Sequence, residues 1–216
     1  SSLILTDRIS QDDLLCKIDY IGDRLLGYTE KLVFSFADIV SYRKVKINLE
    51  QNSINYHEWT EAEMFDFAGK LSKLNKKWGY ELATCGERPE FSRFGILPNH
   101  CVDDNLMIRF AWKDSVLMKV LGVEVKTIEN GLFGNLEIPT NAIMLDSEHY
   151  AIKKKDNSDK GQRELCGCKI SKDIGQYNTC AHLCEYCYAN TSKETACGNY
   201  RTAKKSGLTS ETITGK

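Results

Sequence analysis

Residues 31–40 read KLVFSFADIV and residues 80–85 read YELATC, two short apolar runs that each follow an amphipathic helical pattern and end at a chemically active side chain. In the first, Leu32, Val33, Phe34 and Phe36 leave no wet face, which predicts a strand buried on both sides, as in a parallel sheet. That run ends at Asp38, and the second ends at Cys85-Gly86-Glu87. Before the first run, residues 10–28 predict a helix: Ser10 and Asp13 make a capping-box pair, Leu14, Leu15, Ile18, Ile21, Leu25 and Leu26 recur at helical spacing, and Gly27 stops it. Before the second run, Thr60 and Glu63 repeat the device, followed by Met64, Phe65, Phe67, Ala68, Leu71, Leu74 and Trp78 on one face. Residues 41–58 between them are polar and predict a surface loop or a short helix. Beyond Pro89 and Pro98 lies Cys101-Val102-Asp103, with a further helix expected over residues 103–120. The order helix, strand, helix, strand, helix is that of a parallel α/β protein, although two strands are too few for such a sheet.

At 216 residues and 42% apolar content the chain can build one large domain, or one domain with a small appendage. Its 29 basic side chains nearly cancel 30 acidic ones, so there is no strong nucleic-acid signal of the kind a broad positive field gives. No apolar run is long enough to span a bilayer, and SSLILTDRISQDD has neither the basic start nor the apolar core of a secretory signal, so no membrane partner and a cytoplasmic location are expected. The opening Ser-Ser, without Met, leaves room for an upstream segment.

From residue 122 to 160 the periodicity breaks up around Gly122, Gly131, Gly134 and Pro139, and KKKDNSDKGQRE (153–164) reads as a solvated charge run. The expected division is an α/β part over 1–121, an irregular linker over 122–160, a cysteine-rich tail over 161–200 and a polar C-terminus over 201–216.

Nine cysteines are present, six of them between Cys166 and Cys197. In a reducing compartment such density points to metal more than to disulfides. Cys180, Cys184 and Cys187 spell C-x3-C-x2-C, with Tyr186 before the last. Three thiolates suit three corners of a [4Fe-4S] cluster. A fourth iron left open would take the amino and carboxylate groups of S-adenosylmethionine, with Tyr186 beside the adenine, as in radical S-adenosylmethionine enzymes. A fourth iron closed by Cys166, Cys168, Cys197 or His182 would leave a cluster for structure or electron transfer. The alternative metal is zinc, with Cys166 and Cys168 joining Cys184 and Cys187 in a tetrahedral set, although C-x-C makes a poor knuckle. Asp38, Cys85, Glu87 and Asp103 fall at strand ends or in the loops after them, where α/β folds gather catalytic groups and also where ordinary caps occur. Cys16 reads as a small core residue, and His57, His100 and His149 as structural or surface side chains.

GYTEKLVFSFAD, ELATCGE, GILPNHCVDD, GQRELCGCKISKDIGQYNTC and AHLCEYCYAN together resemble an uncharacterised, mainly bacterial family, the domain-of-unknown-function family eighteen-forty-eight. The resemblance runs from Leu3 to about Asn190 and is most specific at Cys166-Gly167-Cys168, Asp173-Ile174-Gly175, Tyr177-Asn178-Thr179-Cys180 and Cys184-Glu185-Tyr186-Cys187-Tyr188-Ala189-Asn190. It implies an α/β, partial TIM-barrel-like domain whose first strands precede this chain, with a cysteine-rich metal-binding tail. It implies no reaction. Radical enzymes carry their cysteine loop after the first barrel strand, whereas this one comes near the end, and Gly86-Glu87 is a weak substitute for their Gly-Gly-Glu. Two functions compete. The first is a radical-type enzyme acting on an unidentified small-molecule or macromolecular substrate with an electron donor, in which Glu87, Asp38 and Cys85 serve the chemistry. The second is a non-catalytic zinc or saturated iron-sulfur module on an α/β domain.

Overall fold

The computed structural model describes residues 2–128, 138–161, 165–172, 174–187, 189–207, 209 and 212–214, with the backbone alone at residues 130, 131, 134 and 135. Two compact units emerge, one formed by Ser1–Leu97 with Asp173–Lys216, the other by Pro98–Lys172.

The first unit begins β1 (Ser2–Leu3), β2 (Leu5–Thr6), α1 (Gln11–Leu25), β3 (Lys31–Phe36), α2 (Arg43–Gln51), β4 (Tyr56–His57), α3 (Glu61–Asn75) and β5 (Glu81–Thr84). A 3-10 turn (Ser92–Phe94) and β6 (Ile96–Pro98) follow. The main sheet has the order β1-β3-β5-β6, with β1, β3 and β5 parallel. Each parallel step is spanned by helix, as the short crossover requires. Both capping boxes form as the sequence predicts, Ser10 with Asp13 and Thr60 with Glu63.

Among the described residues the main sheet has four strands and no barrel is detected, closing a barrel taking about eight. β3 is not buried on both faces: Phe34 and Phe36 are buried, while Val33 and Ser35, on the alternate positions, are half-buried. The buried face carries an aromatic cluster. Phe67 of α3, fully buried, meets Trp59 at 5.3 Å, Phe36 at 5.9 Å and Phe34 at 6.3 Å between ring centroids. Leu14 of α1 and Leu71 and Ala68 of α3 complete it, together with Leu82 and Ile96 from the sheet. At Gly22, where α1 meets Trp78, a Cβ would overlap the indole, standing 2.6 Å from its Cε2, so only glycine admits that ring. The indole is also tied to α1 by its N–H, which donates to Asp23 Oδ1 at 2.6 Å. Cys16, expected in the core, is exposed.

The Thr60–Glu63 box makes a pH prediction. The Thr60 N–H and hydroxyl both donate to Glu63 Oε2, at 2.9 and 2.7 Å, and His57 Nε2 adds a contact at 2.9 Å. These bonds favour the carboxylate and hold its pKa at about 2, against an ordinary 4.5. A pKa depressed in the folded state contributes stability that is fully present above the unfolded value and is lost as pH falls through the folded one. Wild type should therefore exceed Glu63→Gln in urea-unfolding stability at pH 6.5, and the gap should close between pH 4.5 and about 2. A gap unchanged at the acid end would assign the effect to something other than this carboxylate.

The second unit contains α4 (Asp104–Ala111), α5 (Ser115–Leu121), β7 (Val123–Thr127), β8 (Asn130–Gly131), β9 (Gly134–Asn135), β10 (Ile143–Met144) and β11 (His149–Lys153). The single helix expected over 103–120 is two, because Asp114 caps α5 by accepting from the N–H groups of Val116 and Leu117. The stretch expected as an irregular linker holds an antiparallel sheet of order β10-β11-β7. Ala151 of β11, with Ile108, Met118 and Leu121, forms its core. Lys153, first of the charge run, reaches Asp104 at 2.6 Å; that carboxylate is 2% exposed, so the pair fastens α4 to β11. Residues 162–164 of the charge run lie outside the described residues.

The chain returns to the first unit for the tail, which ends in α6 (Lys193–Lys205), capped by Ser192. Among the described residues no helix is long and apolar enough to cross a membrane.

Candidate metal centre

In the second unit, residues 99–102 and 166–170 lie side by side. The N–H of Lys169 donates to the carbonyl of Val102 at 3.0 Å, while the N–H groups of Asp159 and Ile170 donate to Cys168 and Asn157 carbonyls at 3.0 and 2.8 Å. Asn157, itself buried, is anchored by its amide to the Leu121 carbonyl at 2.7 Å. This frame sets two sulfurs together: the Cys101 and Cys168 Sγ atoms are within 4.8 Å of each other. Each sulfur has an N–H directed at it. The Cys101 backbone donates to Cys168 Sγ at 3.1 Å, and the buried Asn99 amide lies 3.9 Å from Cys101 Sγ. Cys168 is buried and Cys101 exposed.

Gly167 has a definite part in this arrangement. A Cβ there would stand 2.7 Å from Nδ1 of His100, overlapping the imidazole. The close approach of the two segments thus depends on the missing side chain.

In the first unit, Cys85 follows the last residue of β5, and its N–H donates to the Phe34 carbonyl at 3.2 Å. The neighbouring strand-end acids have structural partners. Glu87 Oε1 accepts from the Phe36 N–H at 2.9 Å, and Asp38 Oδ1 accepts from Ser41 at 3.2 Å. Glu58 accepts from the N–H groups of both Ile39 and Val40 at 2.9 Å, so the loop carrying Asp38 is held at two points. Asp103 is the N-cap of α4.

The C-x3-C-x2-C loop belongs to the first unit. Asn178 braces it: its Oδ1 accepts from the Thr191 and Ser192 N–H groups, and its carbonyl accepts from Asn199 at 2.8 Å. The Asn190 amide donates to the Cys180 carbonyl at 2.8 Å, and the Asn48 amide of α2 donates to the Glu185 carbonyl at 3.3 Å. Leu183, immediately before Cys184, has φ of 56°, a left-handed conformation that costs a non-glycine residue about 1–2 kcal/mol. Tyr186 packs with Ile39, Val45 and Leu49 beneath α2. Cys180 and Cys184 are exposed, and Cys187 and Cys197 are half-buried. Asp173 and Tyr188 of the loop's flanking motifs lie outside the described residues.

Of the candidates read from sequence, Cys168 is the one set beside Cys101, while Cys180, Cys184 and Cys187 lie on the loop of the first unit. Cys101 was not among those candidates. The signal available for it was the pairing of N-H-C at 99–101 with C-G-C at 166–168, two segments that only the fold brings together.

A family model described as Domain of unknown function (DUF1848) matches residues 1–189. No curated protein and no solved structure matches the chain. The chain belongs to the DUF1848 family.

Proposed function

We propose that this member of the DUF1848 family is a zinc-type thiolate metalloprotein, with Cys101 and Cys168 as ligands and Cys166 as a candidate third. The observation that carries the reading is the pair of closely set sulfurs, each with an N–H donor. A tetrahedral ion with bonds of about 2.3 Å to sulfur holds its thiolates about 3.8 Å apart, a spacing within their reach. A cubane spreads its thiolates over separate irons and needs a wider set. Softness points the same way, since an all-thiolate set selects zinc over magnesium or calcium. Cys101 and Cys168 would hold the zinc, oriented by the Asn99 amide and the Cys101 N–H, and the ion would supply Lewis acidity if a water completed its shell.

A second reading concerns the C-x3-C-x2-C loop, favoured by its spacing, its asparagine bracing and the strained Leu183, since strain of this sort gathers at functional loops. In that reading Cys180, Cys184 and Cys187 hold a [4Fe-4S] cluster that reacts with S-adenosylmethionine, and Asp38, Glu87 and Cys85 face an unidentified substrate. Anaerobic reconstitution with iron and sulfide decides it. The expected result is iron and acid-labile sulfide retained in equal amounts, lost in Cys184→Ser, with 5′-deoxyadenosine released on reduction with S-adenosylmethionine. Sulfide-free protein would remove this second centre and leave the zinc site standing.

A further inference from the structure

We propose that Cys101 and Cys168 are also a redox couple, a thiol pair that a hydroperoxide converts to a disulfide and a dithiol reductant restores. The exposed partner reacts first and the buried one resolves. The Cys101 thiolate attacks one oxygen of the hydroperoxide; an S–O bond forms, the O–O bond breaks, and the departing alkoxide or hydroxide takes a proton from water. Cys101 is then a sulfenic acid, its sulfur oxidised by two electrons and the peroxide reduced by two. Cys168, with its sulfur held within 4.8 Å and accepting the Cys101 N–H at 3.1 Å, attacks that sulfur. The S–S bond forms, the S–O bond breaks, and hydroxide leaves as water after protonation.

Three features distinguish this pair from cysteines that are merely neighbours. Exposure is divided between the two, so the oxidant meets Cys101 while Cys168 stays shielded at 7% exposure. Each sulfur has its own N–H donor. The two segments are held by the Lys169–Val102 backbone bond and by His100 lying on Gly167, so the resolving thiol stays within reach without a loop movement. A disulfide across the pair would remove both thiolates from any metal. That consequence, oxidant-triggered metal release, rests on the zinc reading; formation of the disulfide does not.

The test uses the whole chain, stripped of metal by a chelator, reduced, and treated with one equivalent of hydrogen peroxide. Intact mass should fall by two hydrogens, and peptide mapping should join Cys101 to Cys168. Cys101→Ser should slow peroxide consumption by about tenfold or more, since the exposed thiolate is the reacting form. Cys168→Ser should instead accumulate a sulfenic acid that dimedone traps, a result that requires only a reactive Cys101. Gly167→Ala, which displaces His100, should slow disulfide closure without slowing the first step. A Cys101→Ser protein that consumes peroxide at the wild-type rate, or mapping that joins Cys101 to any other cysteine, would overturn the proposal. Metal binding measured separately keeps the two readings apart. Disulfide formation in a chain that binds no zinc refutes the metal centre alone, and zinc binding without the crosslink refutes the redox pair alone.

Discussion

Cys168→Ser should lower zinc affinity by more than about 100-fold, because losing a group that merely orients a ligand already costs about 10- to 100-fold. The serine hydroxyl stays protonated at neutral pH and offers a hard oxygen where the ion favours soft sulfur. Its oxygen can still accept the Cys101 N–H, so the frame around residues 99–102 and 166–170 should survive. That makes the variant informative: affinity falls while circular dichroism and urea stability of the metal-free chain stay near wild type. Cys101→Ser should behave alike. Cys16→Ser, at an exposed position on α1, is the control and should bind zinc as wild type does. Equal zinc affinity in all three proteins would exclude both cysteines as ligands.

Phe67→Ala should destabilise the first unit by about 3–5 kcal/mol, the range for emptying a buried aromatic position. The ring is fully buried and stands at the junction of Trp59, Phe36 and Phe34, each within 6.3 Å, so neighbouring rings cannot collapse into the space without losing contacts to one another. The loss should appear as a lower urea midpoint with an unchanged slope. Phe36 is the neighbour whose N–H holds Glu87, so the variant should also loosen the loop after β5. A midpoint shift no larger than that of an exposed control such as Tyr28→Ala would mean that this cluster does not hold the unit together.

The parts of the fold legible in sequence are those fixed by local chemistry. Ser10 with Asp13 and Thr60 with Glu63 cap helices through bonds that span three residues, and the runs around Phe34 and Leu82 are dense enough to read as strands. β1 escaped notice because two residues carry no periodicity; its partner β3 lies more than thirty positions away. The sheet of β7, β10 and β11 was hidden because its short alternations, such as Val123 and Val125, sit among glycines and lysines that read as linker. The partial-barrel expectation came from the resemblance and not from the residues, and the described sheet shows its parallel strands without a barrel. The metal centre divides in the same way. C-G-C and C-x3-C-x2-C announce themselves by spacing, but Cys101 and Cys168 are 67 positions apart, and nothing local marks a thiol that meets its partner only through folding.

X-ray absorption at the zinc edge, on the chain purified without air and without added chelator, tests the central claim most directly. The account predicts stoichiometric zinc with a first shell that includes two or three sulfurs at about 2.3 Å. Metal-free protein, or a shell made only of nitrogen and oxygen, would contradict it.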